Sequence, residues 1–355
     1  MRYLTGAEKI DSKSTAPLAT RWGWPEYLAL LGVPILGLNV WTMVSWLLDG
    51  PHMITAYRAG HTLDWYAARV FEGIVIAISV WVIYRLVRGC RRERKFLTFD
   101  VMFCLVAATQ TWADIAMHFF QPMFAASSNW VNLNNPCGNI PLVVNPDCGR
   151  APDPILFLWL LETFVVIACA WGLGVYIRRL RRRHPDWSNA KLIVIVIVCG
   201  CGIALFEPLL MIPLHLWSYP GFRWSFTING GRYAPFPELI GLGLYFGLLC
   251  SLHIFRDDRG NRLVERGLER YRPKVRVAIT LLAMYTVFQI VMWVFGNGQL
   301  WPQAFHQKPW DNIPAYLNNG LCNTPSVPKT RYGPCPGSAG YRIPVNESDL
   351  TDVTP

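Results

Sequence analysis

Residues 155–183 read ILFLWLLETFVVIACAWGLGVYIRRLRRR. An apolar run from Ile155 to Ile177 is interrupted by one carboxylate, Glu162, and closes on Arg178, Arg179, Arg181, Arg182 and Arg183. As a helix rising 1.5 Å per residue, such a run crosses the roughly 30 Å hydrocarbon core of a bilayer and leaves its arginines at a headgroup surface. The pattern recurs on both sides. Further spans are predicted at 27–48, 68–87, 99–120, 190–217, 237–255 and 277–295, which makes seven. The expected fold is therefore all-α, a polytopic membrane bundle of seven transmembrane helices. The third span is the least apolar, because it holds Asp100, Gln110, Asp114 and His118.

Charge gives the direction. Arg85, Arg88, Arg91, Arg92, Arg94 and Lys95 follow the second span, and the arginines quoted above follow the fourth. Eight more basic residues lie between Arg256 and Arg276, after the sixth. The alternate loops hold only Arg58, Arg69, Arg150, Arg223 and Arg232. The positive-inside bias then predicts a cytoplasmic N-terminal tail (1–24), a membrane domain (25–296) and an extracytoplasmic C-terminal tail (297–355). A net charge of +10 could suggest a nucleic-acid partner. Its placement at headgroup level argues for the lipid bilayer instead, and no nucleic-acid partner is expected. Residues 1–20 are polar and the first apolar run is too long for a signal sequence, so no cleavable signal peptide is expected.

Of ten cysteines, Cys137, Cys148, Cys322 and Cys335 fall on the predicted outer side. Four cysteines in an oxidising compartment suit two disulfides, with three connectivities open. No CxxC pair or nearby histidine at ligand spacing supports a metal site there.

Ionisable residues within spans are expensive and therefore candidates for function. Glu72, Asp114, His118, Glu162, Glu207, His215 and Glu238 all fall in the outer halves of five spans, whereas the inner halves are nearly apolar. Gln110, Asp114, Met117, His118 and Gln121 share about 100° of one helical face, and Asp114 and His118 are i,i+4 neighbours able to bond directly. That pair could transfer protons, lock helices together or ligate a metal. Glu207 is followed by Pro208 and then Pro213, which predicts a kink beside a carboxylate. Glu162 has no basic neighbour in its span and must pair across helices, stay protonated or face water. Glu72 has Arg69 one turn away, which suits a local pair, and Glu238 could cap the sixth helix. Trp217 and Tyr219 lie in an aromatic outer loop that reads as an interfacial belt or as a lid. Gly243 and Gly247 form a GxxxG, a helix-packing signal. No phosphate-cradling loop, HExxH, nucleophile elbow or dinucleotide fingerprint is present.

Taken together, Trp112-Ala113-Asp114-Ile115-Ala116-Met117-His118, the amide-rich loop closed by Cys137, Glu207-Pro208 leading to Trp217-Ser218-Tyr219-Pro220-Gly221, and Pro237-Glu238 resemble the AveC-like spirocyclase family of actinobacterial membrane proteins. The resemblance covers the layout of about residues 25–305. It implies a bacterial plasma-membrane protein that cyclises a dihydroxy ketone, within a polyketide or similar lipid, to a spiroketal with loss of water. It brings no motif that assigns catalytic residues one by one, so the site rests on the depth argument. In that reading Glu162 or Glu207 is the acid and Asp114 with His118 the base and positioning pair. Gln110, Gln121, His215, Trp217, Tyr219, Glu238 and Glu72 are candidate contacts to an apolar small-molecule substrate. The chemistry calls for no cofactor. A proton-coupled transporter or lipid-binding protein, and a metal-dependent membrane hydrolase, are the alternatives.

Overall fold

The computed structural model describes residues 22–54, 62–120, 125–127, 129–145, 148–219, 225–229, 231–233, 237–298 and 300–301. Helix α1 (Trp24–Asp49) and α2 (Leu63–Glu93) are long and apolar. Only 22% of the apolar window of each is buried. Leu30, Trp41, Ile74 and Val80 are among the large apolar side chains they leave exposed. Helices whose apolar faces point outward make sense when the surrounding medium is itself apolar.

The third apolar segment is not one rod. It consists of α3 (Phe99–Ala107), a turn at Ala108 and Thr109, α4 (Gln110–Ile115) and a tighter 3-10 turn, Ala116–His118. Thr98 caps α3 by accepting from the Val101 amide at 3.3 Å. At the break the Thr109 hydroxyl donates to the Val106 carbonyl at 2.6 Å, a side-chain bond that competes with the helical ladder.

The fourth span, Ile155–Arg183, opens on two π-helical runs, Ile155–Trp159 and Leu161–Val165, and continues as α5 (Val166–Arg183). Helix α6 (Asn189–Met211) carries Pro208 without breaking. The fifth span therefore ends at Met211 rather than 217, and His215 and Trp217 lie beyond it. A π-helical run, Pro237–Leu242, leads into α7 (Gly243–Ile254). Finally α8 (Pro273–Val291) ends in a π-helical run, Met292–Asn297. Five of these segments are long and apolar enough to cross a membrane. The third and sixth are shorter or interrupted.

Half of the α8 window is buried, more than in any of the other four long helices. Helix α8 packs against α1, where the Thr286 hydroxyl donates to the Leu28 carbonyl at 2.7 Å. Helices α6 and α7 approach most closely through glycines. A Cβ on Gly247 would lie 2.6 Å from the Ile197 Cα, and one on Gly200 would lie 2.7 Å from the Gly243 carbonyl oxygen. The GxxxG is thus a backbone contact.

The chain is mostly helical, as expected, with a few short strands added at one end. There the loops after α1, α4 and α6 pair as short antiparallel strands. β1 (Met53–Ile54), β3 (Asn132–Asn134) and β4 (Pro152–Pro154) form one sheet. β2 (Ala125–Ala126) pairs with β5 (Trp217–Ser218), and β6 (Phe226–Ile228) with β7 (Gly231–Tyr233). These strands form a cap. A disulfide between Cys137 and Cys148 closes the same loop, with 5.4 Å between Cα atoms. Cys322 and Cys335 lie outside the described residues. Trp130 stacks on Phe157 at 4.6 Å and donates to the Leu216 carbonyl at 2.8 Å, so part of the aromatic loop is the buried core of the cap rather than an interfacial belt.

Candidate active site

A cavity of about 770 Å³, its mouth included, lies beneath the cap. Its walls are mainly apolar, supplied by residues such as Leu158, Leu161, Val166 and Met292. Into it α4 brings Asp114, the fourth span brings Glu162 and α6 brings Glu207. Trp217 from β5, and Tyr219 just after it, complete the wall on the cap side. Five of the residues predicted from depth or loop composition therefore meet in one place.

The cavity owes its shape to the interrupted helices. Among the described residues, each of the three segments that contain π-helical turns contributes them here: Leu158, Leu161 and Glu162 ahead of α5, Leu242 ahead of α7, and Met292, Gly296 and Asn297 after α8. A π turn inserts a residue, widens the helix and turns side chains away from the regular 3.6 register. No hydropathy pattern reveals such turns.

The carboxyl groups interact with one another. Asp114 is within electrostatic reach of Glu207 and of Asp153, and Glu162 within reach of Asp114 and Asp153. Asp153 was missed from the sequence because it precedes the span. It sits between Pro152 and Pro154 in β4, is buried, and accepts a 2.7 Å bond from the Trp159 indole. Burial pushes its carboxyl up to about 7, against which the indole bond works. A Pro-Asp-Pro at the mouth of a span was the available signal.

Two neutral groups add to the wall. The Tyr245 hydroxyl faces the cavity near Glu162 and Asp114 and has no hydrogen-bond partner among the described residues. Asn297 donates to the Ala113 carbonyl at 2.5 Å, and its Oδ1 is unpartnered among the described residues. Asn297 and Leu300 belong to the segment assigned from sequence to the tail, yet both line the cavity. Among the described residues no Arg, Lys or His lines it. What such a wall offers is proton donation and acceptance beside an apolar guest.

Other candidates lie elsewhere. Asp114 and His118 do not hydrogen-bond, because the tightening to a 3-10 turn at Ala116–His118 changes the i,i+4 register. His118 is buried outside the cavity wall, with its carbonyl accepting from Asn145 at 3.0 Å. Gln110 is buried behind the wall. Glu72 pairs with Arg69 at 3.1 Å and accepts from the Val131 amide at 2.9 Å, while Arg69 donates to the Asn129 carbonyl. It anchors the cap to α2. His215, at φ 56°, bonds Asp64 at 3.3 Å and the Asn229 carbonyl at 2.7 Å. Gln121 and the side chain of Glu238 lie outside the described residues. Among the described residues no three His, Cys, Asp or Glu side chains are grouped to hold a metal ion.

The family described as "Spirocyclase AveC-like" matches residues 93–319, more than half of the chain. The chain belongs to the AveC-like spirocyclase family. Every residue lining the cavity falls inside the stretch matched to the spirocyclase family, whereas α1 and nearly all of α2 precede it. Comparisons with curated proteins and with solved structures give no match.

Proposed function

We propose that this protein is a membrane cyclase that closes a dihydroxy ketone, carried on a polyketide or lipid-like chain, to a spiroketal with release of water. The observation that carries the reading is the cavity itself: carboxyls from three helices, no basic group among the described residues of its lining, and walls otherwise mainly apolar, all within the family's segment. We place seven crossings in a bacterial plasma membrane, with the basic end cytoplasmic and the capped cavity facing outward, on the strength of the loop charges.

The chemistry runs in two additions and one departure. A substrate hydroxyl adds to the ketone carbon while Glu162 delivers a proton to the carbonyl oxygen and an ionised Asp114 or Glu207 takes the proton of the attacking hydroxyl, giving a hemiketal and a newly protonated carboxyl. A protonated carboxyl then donates to the hemiketal hydroxyl, which leaves as water and gives an oxocarbenium ion. An ionised carboxylate nearby stabilises that cation, as paired carboxylates do at glycosidic centres. The second hydroxyl adds to the cation and its proton passes to Glu162, which restores the starting acid. The sum is dihydroxy ketone to spiroketal plus water, with no oxidant or reductant. Tyr245 and Asn297 are placed to hold substrate oxygens. His118, which does not reach the cavity, is left out of the base role proposed for it from sequence. Trp217 and Tyr219 shield the cation from bulk solvent.

Metabolite profiling of a deletion strain tests the reading. A compound heavier than the wild-type product by one water, and carrying a free ketone, should accumulate. An unchanged profile would count against it.

A further inference from the structure

The opposite end of the bundle holds a second concavity that the proposed reaction does not use. One cavity of about 480 Å³ lies between α5, α7 and the chain after α7, and a neighbouring one of about 850 Å³ lies between α2 and α3. Both are lined by Arg85 and Trp171. Together they collect Arg85, Arg88, Arg92, Arg178, Arg256 and Arg262.

Arginines at this level are expected from topology alone, so their number proves nothing. Their fixation does more. The Arg85 guanidinium lies 5.4 Å from the Trp81 ring and 5.2 Å from the Trp171 ring. Aromatic faces hold a guanidinium through its π surface and leave its N–H fork free to donate. Arg262 is buried, donates to the His253 carbonyl at 2.9 Å and packs 3.6 Å over Phe99. Burial draws its guanidinium down to about 10, with the neighbouring Arg256 adding to the effect and Glu265 and Asp100 opposing it.

Counter-charge is short. Asp100, which lines the larger of the two cavities, is engaged by His253 at 2.7 Å and the Trp171 indole at 3.2 Å. Glu265 pairs with Arg262 at 3.6 Å, and Glu93 with Arg92 at 3.9 Å. Arg85, Arg178 and Arg256 have no carboxylate partner among the described residues. The floor between them is apolar, made by Ala170, Val175 and Ile254.

We propose that this basic concavity binds a phosphoryl anion, held by Arg85, Arg178 and Arg256 with Trp171 as its wall. Guanidinium forks match the oxygens of a phosphate, and basic pockets between helices at the cytoplasmic face are where anionic headgroups dock. The phosphoryl group can come from a lipid headgroup or from a free phosphate, and the two sources separate by experiment.

The full-length protein in phosphatidylcholine nanodiscs is titrated with inorganic phosphate, and in parallel reconstituted with phosphatidylglycerol and weighed by native mass spectrometry. Retention of phosphatidylglycerol identifies a lipid source, and saturable stabilisation by phosphate in the millimolar range identifies a free one. The double variant Arg178→Gln with Arg256→Gln should weaken whichever signal appears by about tenfold. A control, Arg182→Gln with Arg183→Gln, removes the same charge from the same end and should change it less than twofold. Neither signal in the wild-type protein, or equal losses in variant and control, overturns the site. The wild-type titrations stand even if the double variant fails to fold. Both readouts are binding alone, so they are independent of whether the outer cavity cyclises anything.

Discussion

Glu162 and Arg178 lie on one helical span, about 24 Å apart along its axis at 1.5 Å per residue, and their surroundings differ in kind as well as in charge. Around Glu162 the chain gathers Asp114, Asp153 and Glu207 from separate segments, under paired strands and a disulfide. Around Arg178 the arginines come mainly from helix ends and are steadied by neighbouring aromatic rings. The acid end is thus held under paired strands and a disulfide, and the basic end by aromatic and hydrogen-bond contacts between helices. A change to the cap should disturb the first and spare the second.

The largest effect should come from the carboxyls. Asp114→Asn and Glu162→Gln should each lower cyclisation by roughly 10²-fold or more, the range for loss of a general acid or base. Arg182→Gln, at the other end, should leave the rate unchanged. Product analysis of cells expressing each variant makes the comparison.

Replacing Cys137 and Cys148 together with Ser should destabilise the cap by roughly 2–4 kcal/mol, as expected for a native disulfide. Hydrogen exchange should rise in β3 and β4 and stay unchanged in α7. Equal exchange at both ends would erase the distinction drawn here.

A smaller effect concerns pH. Burial holds Asp153 up at about 7, against roughly 3.9 in an unfolded chain. Its contribution to stability is therefore fully present below about pH 4 and is lost as pH rises through 7. Asp153→Asn should flatten that slope in thermal melts between pH 4 and 8. An unaltered slope would remove Asp153 from the acid cluster.

The sequence shows why one end was more legible than the other. Apolar length and arginine spacing are local quantities, and they located the five membrane-length helices and the basic end directly. Depth along each span then brought Asp114, Glu162 and Glu207 to one level, and the structure places all three on one cavity. Depth does not specify rotation. The 3-10 turn removed His118 from the face of Asp114, and π turns set the final aim of Glu162. Pro208 predicts a kink, and α6 carries it on to Met211. Asp153, Tyr245 and Asn297 escaped notice for separate reasons: one precedes its span, one is a tyrosine on an apolar helix, and one was counted with the tail.

The most direct test of the central claim is turnover by the purified chain. Wild-type protein in proteoliposomes, given a dihydroxy ketone from the accumulating strain, should release the spiroketal and water without added cofactor, and the Glu162→Gln protein should not. Equal product from the two proteins, or a substrate merely carried across the vesicle membrane intact, would contradict the account.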